Sequence, residues 1–279
     1  MARNLSAGRM PVREAQSKGD DVARTRQFEW LARAGLVARG VIYAIIGVLA
    51  LKLVLGDGGK TTNQQGALET IAKQPFGEAL LILMAIGLAG YAIWRLVRAA
   101  IGHGPEATDD TKERVAGVAS GVAYAMLCVT AVSILIGSGG GSGDPDKTTG
   151  GVLSWPGGQI LVAIAGLMIV GVGLDQGYKG IKKKFLEKSK TEQMSEGMKR
   201  SFTALGVVGH LARMVVFALI GYFLIRAAIE FDPDEAVSLD GALAALGQAS
   251  YGPVVLAIVA AGLIAFAAYS AADARYRRV

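Results

Sequence analysis

Hydrophobic residues neither alternate nor fall into short runs along this chain. They fill six long stretches, roughly 34–55, 78–101, 115–137, 158–178, 204–228 and 253–272. About 20 apolar residues in a row cross a hydrocarbon core of about 30 Å as an α-helix. Away from water, a helix also satisfies its own backbone polar groups. The pattern predicts an all-α membrane protein, a six-helix transmembrane bundle, and it lacks the period-two alternation of outer-membrane barrel strands.

Within the stretches, glycines and aromatics recur in register. Gly35, Arg39, Tyr43 and Gly47 return as Gly209, Arg213, Phe217 and Gly221 at one shift of 174. Gly66-Ala67-Leu68, Gly77 and Gly87 return as Gly241-Ala242-Leu243, Gly252 and Gly262. A more eroded middle copy matches Tyr43 to Tyr124 and Gly90 to Gly171 at a shift of 81. A fixed period means one structural unit duplicated and stacked. Two spans per unit give three parallel two-helix repeats of one orientation. The chain divides into a disordered cytoplasmic tail (1–29), repeat 1 (30–102), repeat 2 (113–181), a basic cytoplasmic linker (182–203) and repeat 3 (204–279).

Charge orients the bundle. Of 29 Lys and Arg, 22 lie in the tail, the second and fourth connections and the C-terminus, against three (Lys60, Lys73, Lys147) in the other connections. By the positive-inside rule both termini are cytoplasmic, and the expected address is the bacterial inner membrane. The net charge of +6 and pI near 9.4 follow from this bias. They point to anionic lipid headgroups at the cytoplasmic face, and no base-reading module suggests nucleic acid. No cleavable secretory signal is recognisable, because the first apolar stretch is too long. The lone Cys128 lies within the third span and reads as a small buried hydrophobe.

The outer connections carry short amphipathic segments, Gly66–Lys73 and Leu239–Gln248, while the middle one contains a flexible Gly137–Gly143 run. Phe76, Trp155 and Tyr251 each precede a span and read as an interfacial belt. Gly117 with Gly121, and Gly173 with Gly177, let helices approach closely, read as packing inside the bundle, with homodimerisation as the alternative. The acidic third outer loop (Glu230, Asp232, Asp234, Glu235, Asp240) lacks an EF-hand spacing and reads as solvated.

The string Arg39-Gly40, Tyr43, Gly47, Gly66-Ala67-Leu68, Pro75-Phe76-Gly77 and Gly87-Leu88-Ala89-Gly90-Tyr91 resembles a bacterial family, the domain of unknown function numbered twelve hundred and six. The resemblance covers about residues 30–278 and implies six spans in three tandem repeats. It departs in the second repeat, where Ser120 stands in place of Arg39 and Arg213. No functional residue is carried over, because the family's activity is unassigned.

Chemistry is sparse. The Gly56–Thr62 run lacks the leading glycine of a phosphate loop, since Val54 occupies that place, and it faces outward. Two histidines and one cysteine make neither a zinc set nor a catalytic triad, so no enzyme and no cofactor or metal are expected. Arg39 and Arg213 lie one turn inside the cytoplasmic ends of their spans, where a cation must snorkel or pair. With His210 and the counter-ions Asp175 and Asp273 they form the candidate site, either an anion or headgroup vestibule or inter-repeat ion pairs. The leading reading is a non-enzymatic lipid- or partner-binding accessory protein of a membrane complex. The alternative is a small-solute transporter or channel. Polar side chains meeting at the pseudo-threefold axis would favour transport, and a dry axis would favour binding. Ile46, Val48, Leu49, Leu127, Val129, Ile220 and Leu224 suggest a dry one.

Overall fold

The computed structural model describes residues 26–56, 61–101, 111–137, 145–232 and 235–278. The tail up to residue 25, residues 57–60 of the glycine-rich run, His103, most of the Gly137–Gly143 connector and Asp234 lie outside them. Six helices are long and apolar enough to cross a membrane: α1 (Arg26–Leu55), α3 (Gly77–Ile101), α4 (Thr111–Leu135), α6 (Gly158–Ile181), α7 (Glu196–Glu230) and α9 (Gly252–Tyr276). Between the spans of each repeat stands a short helix: α2 (Gln64–Ala72), α5 (Pro145–Leu153) and α8 (Leu239–Gln248). The amphipathic pattern anticipates α2 and α8. It hides α5, whose sequence PDKTTGGVL offers few apolar side chains.

The basic linker is shorter and more ordered than its charges suggest. α7 begins at Glu196, where Ser195 accepts the Met198 N–H at 3.3 Å as N-cap, so the linker ends at 195 instead of 203. It buries Phe185 and Met194 and straps onto the C-terminus. The Lys190 N–H donates to the Tyr276 carbonyl (2.7 Å) and the Arg278 N–H to that of Lys188 (3.1 Å).

The spans follow one another around a ring. Each repeat's second span packs on the first span of the next, α3 on α4, α6 on α7 and α9 on α1. Residues at matched positions build these three interfaces. A Cβ on Gly47 would lie 2.9 Å from the Ala260 carbonyl oxygen, and one on Gly221 would lie 2.7 Å from that of Gly166. Cys128, the matched residue of repeat 2, donates its thiol to the Ala85 carbonyl at 3.4 Å. The lone cysteine is therefore part of the packing.

Two turns nearer the basic end the same rule holds, with its sides exchanged only in the third interface. Gly40 and Gly121 face the carbonyls of Ala267 and Ala92, while in the third interface Gly173 and Gly177 accommodate Met214. Gly117 lies against Ala99. All four paired glycines thus work inside the bundle, where close approach supplies the packing that the hydrophobic effect cannot supply in lipid.

Within repeats 1 and 3 the two spans also pack on each other, α1 on α3 and α7 on α9, but α4 and α6 share no extended contact. Gly35 lies against the Cβ of Tyr91, and Gly209 against the backbone of the matched Phe266. Gly87 meets the Ala34 carbonyl and Gly262 meets Ala212. Repeat 2 carries Ala116 and Val172 in place of the glycine–aromatic pair, and Met168 in place of Gly87 and Gly262. Met168 is 61% exposed. A methionine there does not admit the close approach that Gly87 and Gly262 allow, and the ring stays open between α4 and α6.

Candidate functional site

At that missing join lies a cavity of about 500 Å³. Its wall takes matched pairs from all three repeats: Arg39 and Tyr43 of α1, Ser120 and Tyr124 of α4, Arg213 and Phe217 of α7. Tyr91 and Arg95 of α3 and Asp175 and Gln176 of α6 complete the middle. Lys188 of the strap marks one end, and Gln64 at the start of α2 the other. The lining residues Ala116, Ala119, Ala123 and Val172 are exposed, so the cavity opens sideways between α4 and α6. Repeat 2 also supplies its volume, with Ser120 in place of an arginine and Val172 in place of Tyr91 or Phe266.

The expectation of a dry axis is overturned. Val48 and Val129 point outward, 44% and 65% exposed, while polar side chains of all three repeats face the cavity. A span flanked by lipid on one side and protein on the other is apolar all round. Hydrophobicity therefore does not say which face is inside.

Arg39 and Arg213 share one phenyl ring. Their guanidinium carbons stand 5.1 and 4.6 Å from the centre of Phe266. Arg213 also lies over Tyr43 (5.4 Å) and Phe217 (5.2 Å), within the range of a cation–π contact. Arg39 stands 3.6 Å from Asp273, a fully buried carboxylate. Asp273 also holds Arg277 at 3.3 Å and accepts the Ser189 hydroxyl at 3.3 Å, which ties α1 and α9 to the strap. Arg213 has no carboxylate partner among the described residues, and the Nε–H groups of Arg39 and Arg213 are buried without an acceptor. A charge held so incompletely in a low-dielectric interior attracts an anion.

Two of the five candidate residues are placed differently from expectation. Asp175 lines the cavity but pairs with Lys179 of its own helix at 2.5 Å, both partly exposed. One helical turn brings these two together more readily than the ring brings Asp175 to either arginine. His210 faces away from the cavity into an aromatic cluster. It stacks on Phe185 at 5.2 Å, and its Nδ1–H donates to the Gly206 carbonyl at 2.7 Å.

Sequence reasoning missed Arg95, Arg114, Lys179 and Lys188, which read there as orientation charges. Arg114 donates to the carbonyls of Ala99 (3.0 Å) and Ala100 (2.8 Å), and Arg95 donates to the Tyr91 hydroxyl (3.2 Å). Phe76, Trp155 and Tyr251 are 86%, 62% and 82% exposed beside the short helices, at the opposite end of the bundle.

The family described as Domain of Unknown Function (DUF1206) matches residues 34–111, 115–183 and 208–277, one match per repeat. An "Uncharacterized protein YxxB" of Bacillus subtilis (strain 168) is 32% identical over 250 residues, covering 88% of this chain and 90% of its own. No solved structure matches. The three matches and this relative fix the affiliation: the chain is a polytopic membrane protein of the DUF1206 family.

Proposed function

We propose that this protein binds an anionic lipid in the bacterial cytoplasmic membrane, with both termini in the cytoplasm, and that it acts without catalysis, as a lone carrier or as an accessory to a membrane complex. One observation carries the reading: a laterally open cavity holds two incompletely paired arginines, Arg39 and Arg213, on an aromatic floor. A headgroup passing between α4 and α6 meets guanidiniums that bond phosphate through two parallel N–H donors. Its acyl chains remain in the bilayer beside the exposed Val172 and Met168. The cationic wall lies at the end that the positive-inside rule assigns to the cytoplasm, where anionic lipid is also attracted. Native mass spectrometry of protein released from nanodiscs of its own lipids tests this reading. A retained anionic lipid, lost in Arg39→Gln and Arg213→Gln variants that still fold, supports it, and release of bare protein refutes it.

Transport of an anion is the second reading. It is favoured by the convergence of polar side chains from three repeats and by a lining that extends from Lys188 to Gln64. Efflux of a labelled anion from proteoliposomes distinguishes the two.

A further inference from the structure

The charge around the cavity goes further, to the class of ligand. Among the described residues six cations line it (Arg39, Arg95, Arg114, Lys179, Lys188, Arg213) against one carboxylate, Asp175. That carboxylate is engaged by Lys179, and Arg39 has Asp273. Arg95, Arg114 and Arg213, from three different helices, have no carboxylate partner among the described residues; the hydrogen bonds of the first two go to a phenol and to backbone carbonyls. Neutral acceptors orient a guanidinium without cancelling its charge. Arg95 and Arg213 are half-buried and Arg114 is exposed, so all three charges stay on offer to an anion.

We infer that the ligand is a lipid with two or more negative charges in its headgroup, such as a bis-phosphate or a diphosphate-linked lipid; this rests on the lipid-binding reading above. A singly charged phosphodiester matches the charge of one of the three arginines and leaves the other two without an anionic partner in the cavity. A zwitterionic headgroup adds an ammonium to a wall that is already cationic. Two phosphates match the layout: one meets Arg39 and Arg213 over Phe266, the other meets Arg95 and Arg114 nearer the basic end.

The test uses the full chain in phosphatidylcholine nanodiscs doped equally with phosphatidylglycerol, cardiolipin and a polyprenyl diphosphate, read by native mass spectrometry. The expected result is retention of a polyanionic lipid about tenfold over phosphatidylglycerol. Arg213→Gln, or Arg95→Gln if the first variant does not fold, removes the preference, whereas Arg226→Gln, outside the cavity, keeps it. Equal retention of phosphatidylglycerol overturns the inference and leaves lipid binding standing. No retained lipid of any kind overturns both. Inorganic diphosphate that stabilises lipid-free protein in detergent as strongly as the lipid does identifies a free polyanion as the ligand, and that too overturns the inference.

Discussion

Repeats 1 and 3 share a closure that repeat 2 lacks. In each of them a glycine of the first span meets an aromatic of the second, Gly35 on Tyr91 and Gly209 on Phe266, and a second glycine, Gly87 or Gly262, lets the backbones approach. Repeat 2 keeps its outer interfaces, through Gly121 and Cys128 on α3 and Gly173 on α7, yet its own hairpin stands open. A repeat can therefore change its inner contacts without losing its place in the ring. A few side chains (Ala116, Ser120, Met168, Val172) turn a packing interface into a cavity.

The comparison can be broken most forcefully at its charges. Position 273 of repeat 3 corresponds to 179 of repeat 2. Asp273 is buried among Arg39, Arg277 and Ser189, while Lys179 is partly exposed in a pair with Asp175. Asp273→Asn is expected to destabilise by about 3–5 kcal/mol, because it takes the carboxylate away from the buried Arg39 guanidinium. Asp175→Asn is expected to change stability by less than about 1 kcal/mol. Unfolding in mixed micelles measures both, and equal losses would end the distinction.

Packing gives the next effect. Gly209→Val forces a side chain onto the Phe266 backbone and is expected to cost about 1–3 kcal/mol. Ala116→Val, at the matched position facing the cavity, should stay within about 0.5 kcal/mol. Writing the closed repeats into the open one, as Met168→Gly with Val172→Tyr, sharpens the contrast functionally. The slit should narrow and lipid retention should fall about tenfold, equivalent to 1.4 kcal/mol, while the protein stays folded. Cys128→Gly, the residue of the other two repeats, should cost about 1 kcal/mol or less, because it gives up a weak thiol donor and some helix propensity.

The smallest effect lies in the strap. A hydrogen bond from its own backbone N–H, joined by the Arg278 guanidinium, holds the Glu192 carboxyl below its ordinary pKa against a smaller desolvation. A folded pKa below the unfolded one gives stability that is complete above the ordinary carboxylate range. It is lost as pH falls through the depressed value. Hydrogen exchange of the strap amides should quicken relative to intrinsic rates over that acidic window, and Glu192→Gln should flatten the dependence.

Much of the architecture was legible because membrane insertion writes it in long apolar runs, and because duplication repeats Gly35, Arg39 and Gly47 in register. The Arg39–Asp273 pair was legible too, because the two charges stand at one depth of the bundle, and Asp273 holds Arg39 at 3.6 Å although Arg277, four residues on, shares the carboxylate. Asp175 was misassigned because Lys179, four residues on, competes at shorter range. The cavity was hidden for a different reason. Ser120, Val172 and Met168 are unremarkable residues in an apolar helix, and only their mismatch with the other copies marks the place where the ring fails to close. That signal was present at Ser120, but a lost arginine does not by itself reveal a space.

Three separate two-helix subunits around a threefold axis, all of one sequence, would present either three identical openings or none. Joining the copies in one chain removes that restriction, because each can then drift alone. An opening at the α4–α6 join alone, as the described helices have it, is something that three identical subunits cannot specify. The proposed lipid therefore approaches from one direction within the bilayer plane, while the other five joins between neighbouring spans are packed.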